Sequence, residues 1–316
     1  MRAMIADAPG AALRDGALPR PVPGAHEALI RVRAAGVNFA DTLMVKGRYQ
    51  ETPPFPFAPG LEVCGVVEGG ALPSGTRVAA LVRGGFAEYA LADARLCVPV
   101  PAAMPDEVAA GFLVAYGSSE MALDFRARLK PGETLLVTGA AGGVGLTAVE
   151  IGKLMGARVV ACARGAEKLA AAKAAGADIL LDSTSADIAA EAKALGGADV
   201  IYETVGGADF AACLRAAKPG GRILPIGFAG GEIPQIPANI LLVKNLVVLG
   251  FYWSAWAKLD PGAMAESLAR LFGWWEAGRL RPHVSHVLTL GEAEAALELL
   301  RTRAATGKVV LRVAAA

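Results

Sequence analysis

Residues that hold metals or form disulfides are scarce in this sequence. Its 316 residues include 4 cysteines and 3 histidines. The cysteines lie far apart in the chain and form no CxxC pair. Because this spacing suits neither a disulfide framework nor a zinc site, we expect four reduced thiols in a cytoplasmic protein. They are Cys64, Cys97, Cys162 and Cys213.

An excess of one charge is also absent. The chain carries 31 basic and 30 acidic side chains, a net charge of +1, with no block of like charge. Nucleic acid or an anionic membrane would call for such a block, so neither partner is expected. The N-terminus lacks the long apolar core of a signal peptide. The most hydrophobic stretch, residues 240–257, is interrupted by Lys244, Asn245 and Ser254, which favours a buried strand and loop over a membrane span.

The hydrophobic residues, 54% of the chain, follow two different patterns. The first third is rich in Val, Gly and Pro, and its short alternating runs predict strands separated by turns. Examples are "ALIRVRAAGV", "EVCGVVEGG" and "GTRVAALV". This pattern predicts an antiparallel, barrel-like β-domain with irregular loops that can carry function.

Strands and helices alternate in the following part of the chain, from "TLLVTG" to "RILPIG". Such alternation predicts a parallel sheet covered by helices on both faces, the doubly wound α/β class. Two more helical stretches follow, and the strand-like "GKVVLRV" near the end suggests a return to the first domain. We therefore predict a β-domain of residues 1–115 and 260–316, and a nucleotide-binding domain of residues 116–259.

The stretch "LLVTGAAGGVGLTAVEIG" reads as a strand, a glycine-rich turn and a helix. A dinucleotide pyrophosphate needs such a turn, because its oxygens must approach backbone N–H groups at a helix N-terminus. We expect Ala140, Gly142, Gly143 and Val144 to contact the cofactor there. A tight turn without a ligand is the alternative.

The second strand of this domain, "RVVACARG", indicates which dinucleotide binds. An NAD site usually ends this strand with Asp or Glu, which holds the ribose 2′-hydroxyl. Here Ala163 takes that position, followed by Arg164 and, one turn later, Lys168. A guanidinium can pair with a 2′-phosphate, so NADPH is predicted. The alternative is that both basic residues belong to an ordinary solvated helix start.

With these parts placed, the chain resembles the medium-chain dehydrogenase/reductase superfamily, in its zinc-independent NADPH:quinone oxidoreductase (zeta-crystallin-like) branch. The resemblance covers nearly the whole chain and implies a GroES-like β-barrel catalytic domain joined to a Rossmann domain. The motifs that carry it are "GVNFADTLMVKGRY", "PFAPGLEVCGVVEGG", "GGFAEYAL", "VTGAAGGVGLTAVEIGKLMGA", "YETVGG" and "LLVKNLVVLGFYW".

The resemblance also implies that no metal is held. Zinc-dependent members place a Cys in the loop that here reads "GVNFADT" and a His in a Gly-His-Glu motif, which here reads Gly60-Leu61-Glu62. Asn38 lies near the position of that Cys. Without these ligands, the chain cannot bind zinc in the way that the zinc-dependent members do.

Three polar residues of the first motif match the loop of the related enoyl-thioester reductases. They are Asn38, Asp41 and Tyr49. The implied roles are stabilisation of a developing oxyanion by Tyr49 or the Asn38 amide, and fixing of the loop or a water by Asp41. Helix capping for Asn38 and Asp41, and simple packing for Tyr49, remain alternatives.

Further cofactor contacts are implied by the resemblance alone, and each of these residues could instead belong to a core or a turn. Aromatic residues of "FYWSAW" could also form an apolar wall for a planar substrate. The implied contacts are Tyr116, Ser119, Val205, Gly227, Phe228, Phe251 and Tyr252.

The function predicted from the sequence is NADPH-dependent reduction of quinones or α,β-unsaturated carbonyls. An enoyl-thioester reductase of CoA or carrier-protein substrates is one alternative. A crystallin-like or RNA-binding protein that holds NADPH without turnover is another. The hydrophobic run "NLVVLGFYW" is expected to be the edge strand of the Rossmann sheet, and its pairing with a second copy predicts a homodimer.

Overall fold

The computed structural model describes residues 1–313, and the chain forms two compact units. The first unit comprises Met1–Val114, Leu268–Glu276 and Pro282–Ala316, and the second comprises Ala115–Ser267 and Ala277–Arg281. The chain thus enters the second unit one residue before the boundary expected from the sequence. It leaves that unit after Ser267 rather than after residue 259.

The first unit is built mainly from antiparallel strands. The strands are β1 (Arg2–Ile5), β2 (Arg14–Ala17), β3 (Glu27–Val37), β4 (Glu62–Gly70), β5 (Arg77–Leu81), β6 (Tyr89–Asp93), β7 (Cys97–Pro99), β14 (Val284–Thr289) and β15 (Lys308–Arg312). Its larger sheet has seven strands in the order β14-β15-β3-β4-β5-β7, with β6 paired to β3, and β1 pairs with β2. The helices are α1 (Phe39–Met44), α2 (Asp106–Ala110) and α11 (Ala293–Arg301).

The last strand returns to the first unit. Strand β15 pairs antiparallel with the end of β3, and Val309 lies opposite Val37. Successive side chains of a strand point to opposite faces of the sheet. The pairing of β15 with β3 therefore places apolar side chains of both strands, such as Val37, Val309 and Leu311, in one buried core. The first residue of β15, Lys308, is thereby placed beside the loop that follows β3.

The second unit contains a six-stranded sheet made of β8 (Thr134–Thr138), β9 (Arg158–Ala163), β10 (Ile179–Asp182), β11 (Ala198–Glu203), β12 (Ala217–Pro225) and β13 (Val247–Val248). The strand order is β10-β9-β8-β11-β12-β13, and every pair is parallel. This confirms the doubly wound α/β class. The helices are α4 (Gly143–Leu154), α5 (Gly165–Ala174), α6 (Ile188–Ala194), α7 (Gly207–Ala216), α8 (Ala238–Lys244) and α9 (Trp256–Leu259), while α3 (Leu113–Glu120) and α10 (Pro261–Glu276) contain residues of both units.

Two elements differ from the sequence expectation. The segment "MPDEVAAGFLVAYGSSEMAL" has helical spacing and an acidic start, which predict one helix. The helix is interrupted at Gly111, and glycine is a poor helix former. A methyl group at Gly111 would lie 3.1 Å from Cε of Lys308. The helix then widens into a π-helix at Met121–Arg126. The run "NLVVLGFYW" contributes only Val247–Val248 as a strand, and a 3-10 turn at Trp253–Ala255 follows it.

Lys244, the charged residue within the most hydrophobic stretch, caps the end of helix α7. The ammonium of Lys244 donates to the carbonyl oxygens of Leu214 at 2.8 Å and Ala217 at 2.6 Å, at the end of α7. A cation is favourable at a helix C-terminus, where carbonyl groups lack intrahelical partners. Within residues 1–313, no helix has the length and apolar character that crossing a membrane requires.

The edge of the parallel sheet carries an exposed apolar face. Strand β13 is the last strand on its side, and Leu242 and Val243 of the preceding helix are 76% and 71% exposed. Unpaired edges and apolar faces of this kind favour association. We predict that the wild-type protein is a homodimer and that the double variant Leu242→Asp/Val243→Asp is a monomer. Light scattering at micromolar protein concentration measures the mass of both.

The matched control for the dimer is Val22→Asp in the first unit. Val22 is 82% exposed and equally apolar, yet it lies outside this edge. The control should leave the mass unchanged. A monomeric wild-type protein would contradict the prediction.

Candidate functional site

The loop after β3 is fixed by the side chain of Asp41. One carboxylate oxygen of Asp41 accepts a hydrogen bond from the backbone N–H of Asn38 at 2.8 Å, which anchors the start of α1. The other accepts from the N–H of Gly60 at 3.1 Å, so that a second loop is tied to the first. Burial raises the pKa of Asp41 to about 7, and the two N–H donors and the ammonium of Lys308 act in the opposite direction.

Asn38 is held at both ends of its amide. Its oxygen accepts from Nζ of Lys308 at 2.7 Å, and its nitrogen donates to Oε1 of Glu62 at 3.0 Å and more weakly to the Gly36 carbonyl at 3.5 Å. An amide nitrogen has only two hydrogens. Both are directed to neighbours inside the unit, and this geometry favours a positioning role for Asn38 over donation to an oxyanion.

A buried ion pair completes this group of four side chains. Nζ of Lys308 lies 2.9 Å from Oε1 of Glu62, with side-chain exposures of 8% and 0%. The third proton of the ammonium goes to the carbonyl of Val37 at 3.1 Å. The second oxygen of Glu62 accepts from the N–H of Val114 at 3.0 Å. The charges are therefore hydrogen-bonded throughout, which buried charges require.

Zinc does not fit this group. Its polar atoms come from one amide, two carboxylates and a lysine, and the ammonium of Lys308 already supplies the positive charge next to Glu62 and Asn38. Zinc prefers Cys and His ligands. Among residues 1–313, no three His, Cys, Asp or Glu side chains are grouped so that they could hold a metal ion.

Tyr49 lies in the turn after α1 and is partly buried against the core of the first unit. Its backbone N–H and carbonyl both hydrogen-bond the Thr52 hydroxyl, at 3.2 and 2.8 Å. These two bonds hold the backbone of the turn at Tyr49. A partly exposed phenol held in this way can both pack and donate.

The glycine turn of the second unit has the geometry of a phosphate-binding loop. Gly139 has a φ of 57°, and Gly142 precedes the first turn of α4. A methyl group on Gly145 would lie 2.2 Å from the Gly139 carbonyl oxygen, so that only glycine lets the helix pack this closely. The first N–H groups of a helix have no intrahelical acceptor, and here they belong to Gly143 and Val144. Ala140 is buried, and its N–H donates to the Cys162 carbonyl at 3.0 Å, so its backbone donor is used within the sheet.

Arg164 stands at the end of β9 and is exposed. Lys168 follows one turn later in α5 and is half-buried. A carboxylate that the sequence did not indicate lies nearby, because Asp182 at the end of β10 accepts from the Gly165 N–H at 3.2 Å. The hydrogen bonds from Thr184, followed by that from Gly165, lower the pKa of Asp182 and keep it ionised.

Tyr116 and Ser119 direct their hydroxyls towards α4 and not to the surface of the unit. The Tyr116 hydroxyl donates to Glu150, whose pKa is raised by burial. Ser119 is fully buried, and its hydroxyl lies 2.7 Å from that of Thr147 and 3.0 Å from that of Tyr202. This burial argues against direct cofactor contact by the Ser119 side chain.

The remaining predicted contacts gather at one edge of the parallel sheet. Val205 follows β11, and Gly227 and Phe228 follow β12, so they lie at the carboxyl ends of neighbouring strands. The Val205 carbonyl accepts from the Gly230 N–H at 2.7 Å, which joins the two loops. The carboxyl edge of an open α/β sheet is where ligands bind.

Phe251 and Tyr252 follow β13 at the same edge and are half-buried. The centroid of the Phe251 ring lies 6.3 Å from that of the Trp256 ring, and the centroid of the Trp256 ring lies 4.9 Å from that of the Phe125 ring. Trp253, by contrast, is buried against Gly117, where a methyl group would approach its indole to 2.4 Å. The aromatic motif thus divides into a packing residue and a partly exposed ring cluster.

Sequence reasoning missed Lys308 and Glu150. Lys308 gave only a weak signal, a single charge at the start of the apolar run "VVL". Glu150 belongs to the helical run "GLTAVEIG" and gave no separate signal, although it accepts from the Tyr116 hydroxyl and the Arg281 N–H.

Comparison with known proteins agrees with this architecture. The family profile "Alcohol dehydrogenase GroES-like domain" matches residues 24–102, and the profile "Zinc-binding dehydrogenase" matches residues 143–271. The quinone oxidoreductase-like protein 2 homolog of Nematostella vectensis is 39% identical over 300 residues, which cover 91% of this chain and 82% of the relative.

Two solved structures are similar along their whole length. The quinone oxidoreductase of Thermus thermophilus, determined also in complex with NADPH, has a TM-score of 0.88 and 39% identity, and the match covers 99% of this chain and 100% of that one. A mycobacterial protein complexed with NADPH has a TM-score of 0.94 and 30% identity, with coverage of 99% and 100%. The chain therefore belongs to the quinone oxidoreductase branch of the medium-chain dehydrogenase/reductase superfamily.

Proposed function

We propose that the protein is an NADPH-dependent oxidoreductase that reduces quinones or α,β-unsaturated carbonyl compounds without zinc. The observation that carries this proposal is the glycine turn between β8 and α4, followed by Arg164 and no carboxylate at the end of β9. It is supported by the NADPH complex of the similar Thermus enzyme.

The fit of the cofactor rests on backbone geometry. The N–H groups of Gly143 and Val144 would hold the pyrophosphate at the start of α4, and the bare Cα of Gly142 would let it approach. Arg164 and Lys168 would hold the 2′-phosphate. Val205, Gly227, Phe228, Phe251 and Tyr252 lie at the same sheet edge and would line the rest of the dinucleotide.

Bound NADPH supplies a hydride, which reduces a quinone ring or the β-carbon of an electron-poor C=C bond. In both acceptors negative charge develops on the conjugated oxygen, and a positioned donor stabilises it. We assign this donor to the hydroxyl of Tyr49. Asn38 and Asp41 hold the loop that presents Tyr49, and the final proton comes from Tyr49 or from water.

The preference for NADPH has a direct test at Arg164. A charge-assisted hydrogen bond to the 2′-phosphate contributes about 1.5–3 kcal/mol. We expect Arg164→Ala to raise the Kd for NADPH about tenfold or more and to leave the Kd for NADH nearly unchanged, measured by fluorescence titration. Equal weakening of both cofactors would show that Arg164 acts elsewhere, and the double variant with Lys168→Ala shows whether the two cations share the phosphate.

One experiment separates the candidate functions. Steady-state NADPH oxidation is measured with a panel of quinones, a panel of small enones and an enoyl-CoA thioester. Turnover of quinones or enones supports the proposal. Turnover confined to the thioester would assign an enoyl-thioester reductase, and NADPH binding without any turnover would indicate a crystallin-like binding protein.

A further inference from the structure

The group formed by Asn38, Glu62 and Lys308 links two distant parts of the chain. Lys308 and Asn38 are 270 residues apart in sequence, yet Nζ of Lys308 lies 2.7 Å from the side-chain oxygen Oδ1 of Asn38. Glu62 accepts from both of them through one oxygen, Oε1. The three side chains therefore form a closed ring of hydrogen bonds at the start of the loop that carries Asp41 and Tyr49.

We propose that Lys308 is a positioning residue of the reaction, whose ammonium fixes the Asn38 side chain and, through it, the loop of Asp41 and Tyr49. This inference rests on the reductase function proposed above. The ammonium has three protons and three acceptors, the Val37 carbonyl, Asn38 and Glu62. With all donors used, its orientation is fixed, and so is the amide that it holds.

The surrounding packing is adapted to this arrangement. A methyl group on Gly36 would lie 2.7 Å from Oε1 of Glu62, and one on Gly111 would lie 3.1 Å from Cε of Lys308. Glycine at these two positions leaves room for the two charged side chains. A simple core would not need the pair, because a buried ion pair replaced by apolar residues is often equally stable.

Two roles of Lys308 must be separated experimentally. The ammonium neutralises the buried carboxylate of Glu62, which is a matter of stability, and it holds Asn38, which is a matter of position. Lys308→Met alone removes both and leaves a buried unpaired charge. The double variant Lys308→Met/Glu62→Gln removes the charge problem but still leaves the Asn38 oxygen without its donor. The single carbonyl oxygen that Glu62→Gln introduces can accept from the Asn38 amide or from the Val114 N–H, but not from both, so one of these two donors loses its acceptor.

The experiment compares the wild type, Lys308→Met and the double variant. The matched control is Lys218→Met, which breaks the half-buried pair between Lys218 and Asp199 in the second unit. Measured quantities are the denaturation midpoint, kcat and KM per folded protein at saturating NADPH, the Kd for NADPH, and hydrogen exchange of the segment 38–49.

We expect the double variant to recover part of the stability that Lys308→Met loses, because the unpaired buried charge is removed. Its kcat should nevertheless stay about 10- to 100-fold below the wild-type value, as expected for a displaced reacting group. Exchange in segment 38–49 should be faster than in the wild type, while the Kd for NADPH stays within about twofold. Lys218→Met should lose stability without a change in kcat or in exchange of this segment.

Recovery of kcat together with stability in the double variant would overturn the proposal and leave Lys308 as a neutralising partner of Glu62. Unchanged exchange of segment 38–49 would overturn it as well, and this readout does not require any turnover by the wild type. If the methionine double variant does not fold, Lys308→Gln/Glu62→Gln replaces it. The side chain that Lys308→Gln introduces is shorter than lysine, so this variant should again have a low kcat and fast exchange of segment 38–49. Wild-type values of both quantities would contradict a positioning role for Lys308.

Discussion

Tyr49→Phe is expected to lower turnover by about 10²–10³, the usual effect of losing one donor to a developing oxyanion. The substitution removes the hydroxyl and keeps the ring, which packs partly buried against the core of the first unit. Folding should therefore be retained. The Kd for NADPH should be unchanged as well, because the glycine turn belongs to the second unit.

The loss should be larger for enones than for quinones. An enolate depends on a donor at its oxygen, whereas a hydroquinone anion already delocalises the charge over its ring. The measurement is kcat/KM for both acceptor classes in wild type and variant, with the Kd for NADPH determined separately. Wild-type turnover of every acceptor would return Tyr49 to a packing role and leave the proton to water.

Asn38→Ala provides a comparison for this result. Both hydrogens of the Asn38 amide are directed to neighbours within the first unit. We therefore expect its effect on kcat to arise through the placement of Tyr49, so that the combined variant with Tyr49→Phe is little worse than Tyr49→Phe alone. Additive losses would indicate that Asn38 acts on the acceptor independently.

The glycine turn gives the second large effect, and two of its residues should fail in different ways. A methyl group on Gly145 would lie 2.2 Å from the Gly139 carbonyl oxygen, and overpacking of this kind costs about 1–3 kcal/mol of stability. A methyl group on Gly142 meets only that same oxygen, at 3.4 Å, which is an ordinary contact. We expect Gly145→Ala to lower the denaturation midpoint, and Gly142→Ala to fold normally but to raise the Kd for NADPH about tenfold.

Gly273→Ala in α10 is the control for both variants, because nothing lies within 4 Å of the added methyl group. It should leave the Kd unchanged and should not lower the midpoint, which it is expected to raise slightly because alanine is the better helix former. The measurements are denaturant unfolding without ligand and fluorescence titration with NADPH. Unchanged NADPH binding in Gly142→Ala would indicate a tight turn that serves packing alone.

The sequence alone determined the class of fold and the type of cofactor site. Strands β8 to β12 and helices α4 to α7 follow the predicted alternation, because their hydrophobic periods are local and each buries one face against its neighbours. The glycine turn and Arg164 could be found in the same way, since a phosphate-binding loop is encoded within a few consecutive residues.

Tertiary structure decided the surroundings of the individual side chains. Ser119 and Tyr116 stay predicted cofactor contacts, and their hydroxyls bond to Thr147 and Glu150 of α4. Whether a hydroxyl faces a ligand or a neighbouring helix depends on packing that no local pattern encodes. The strand expected across "NLVVLGFYW" is shortened to Val247–Val248 because strand length is set by pairing with β12. Its apolar composition did not indicate where that pairing stops.

The role of Lys308 shows the same limit most clearly. Its contact with Asn38 depends on the pairing of β15 with β3. Through this pairing Nζ of Lys308 lies 2.7 Å from Oδ1 of Asn38, although the two residues are 270 positions apart in sequence. A lone lysine before an apolar strand carries no record of that pairing. The sequence thus determined which loop holds Asn38, Asp41 and Tyr49, and only the folded chain determined what holds the loop, because burial of charge depends on long-range contacts.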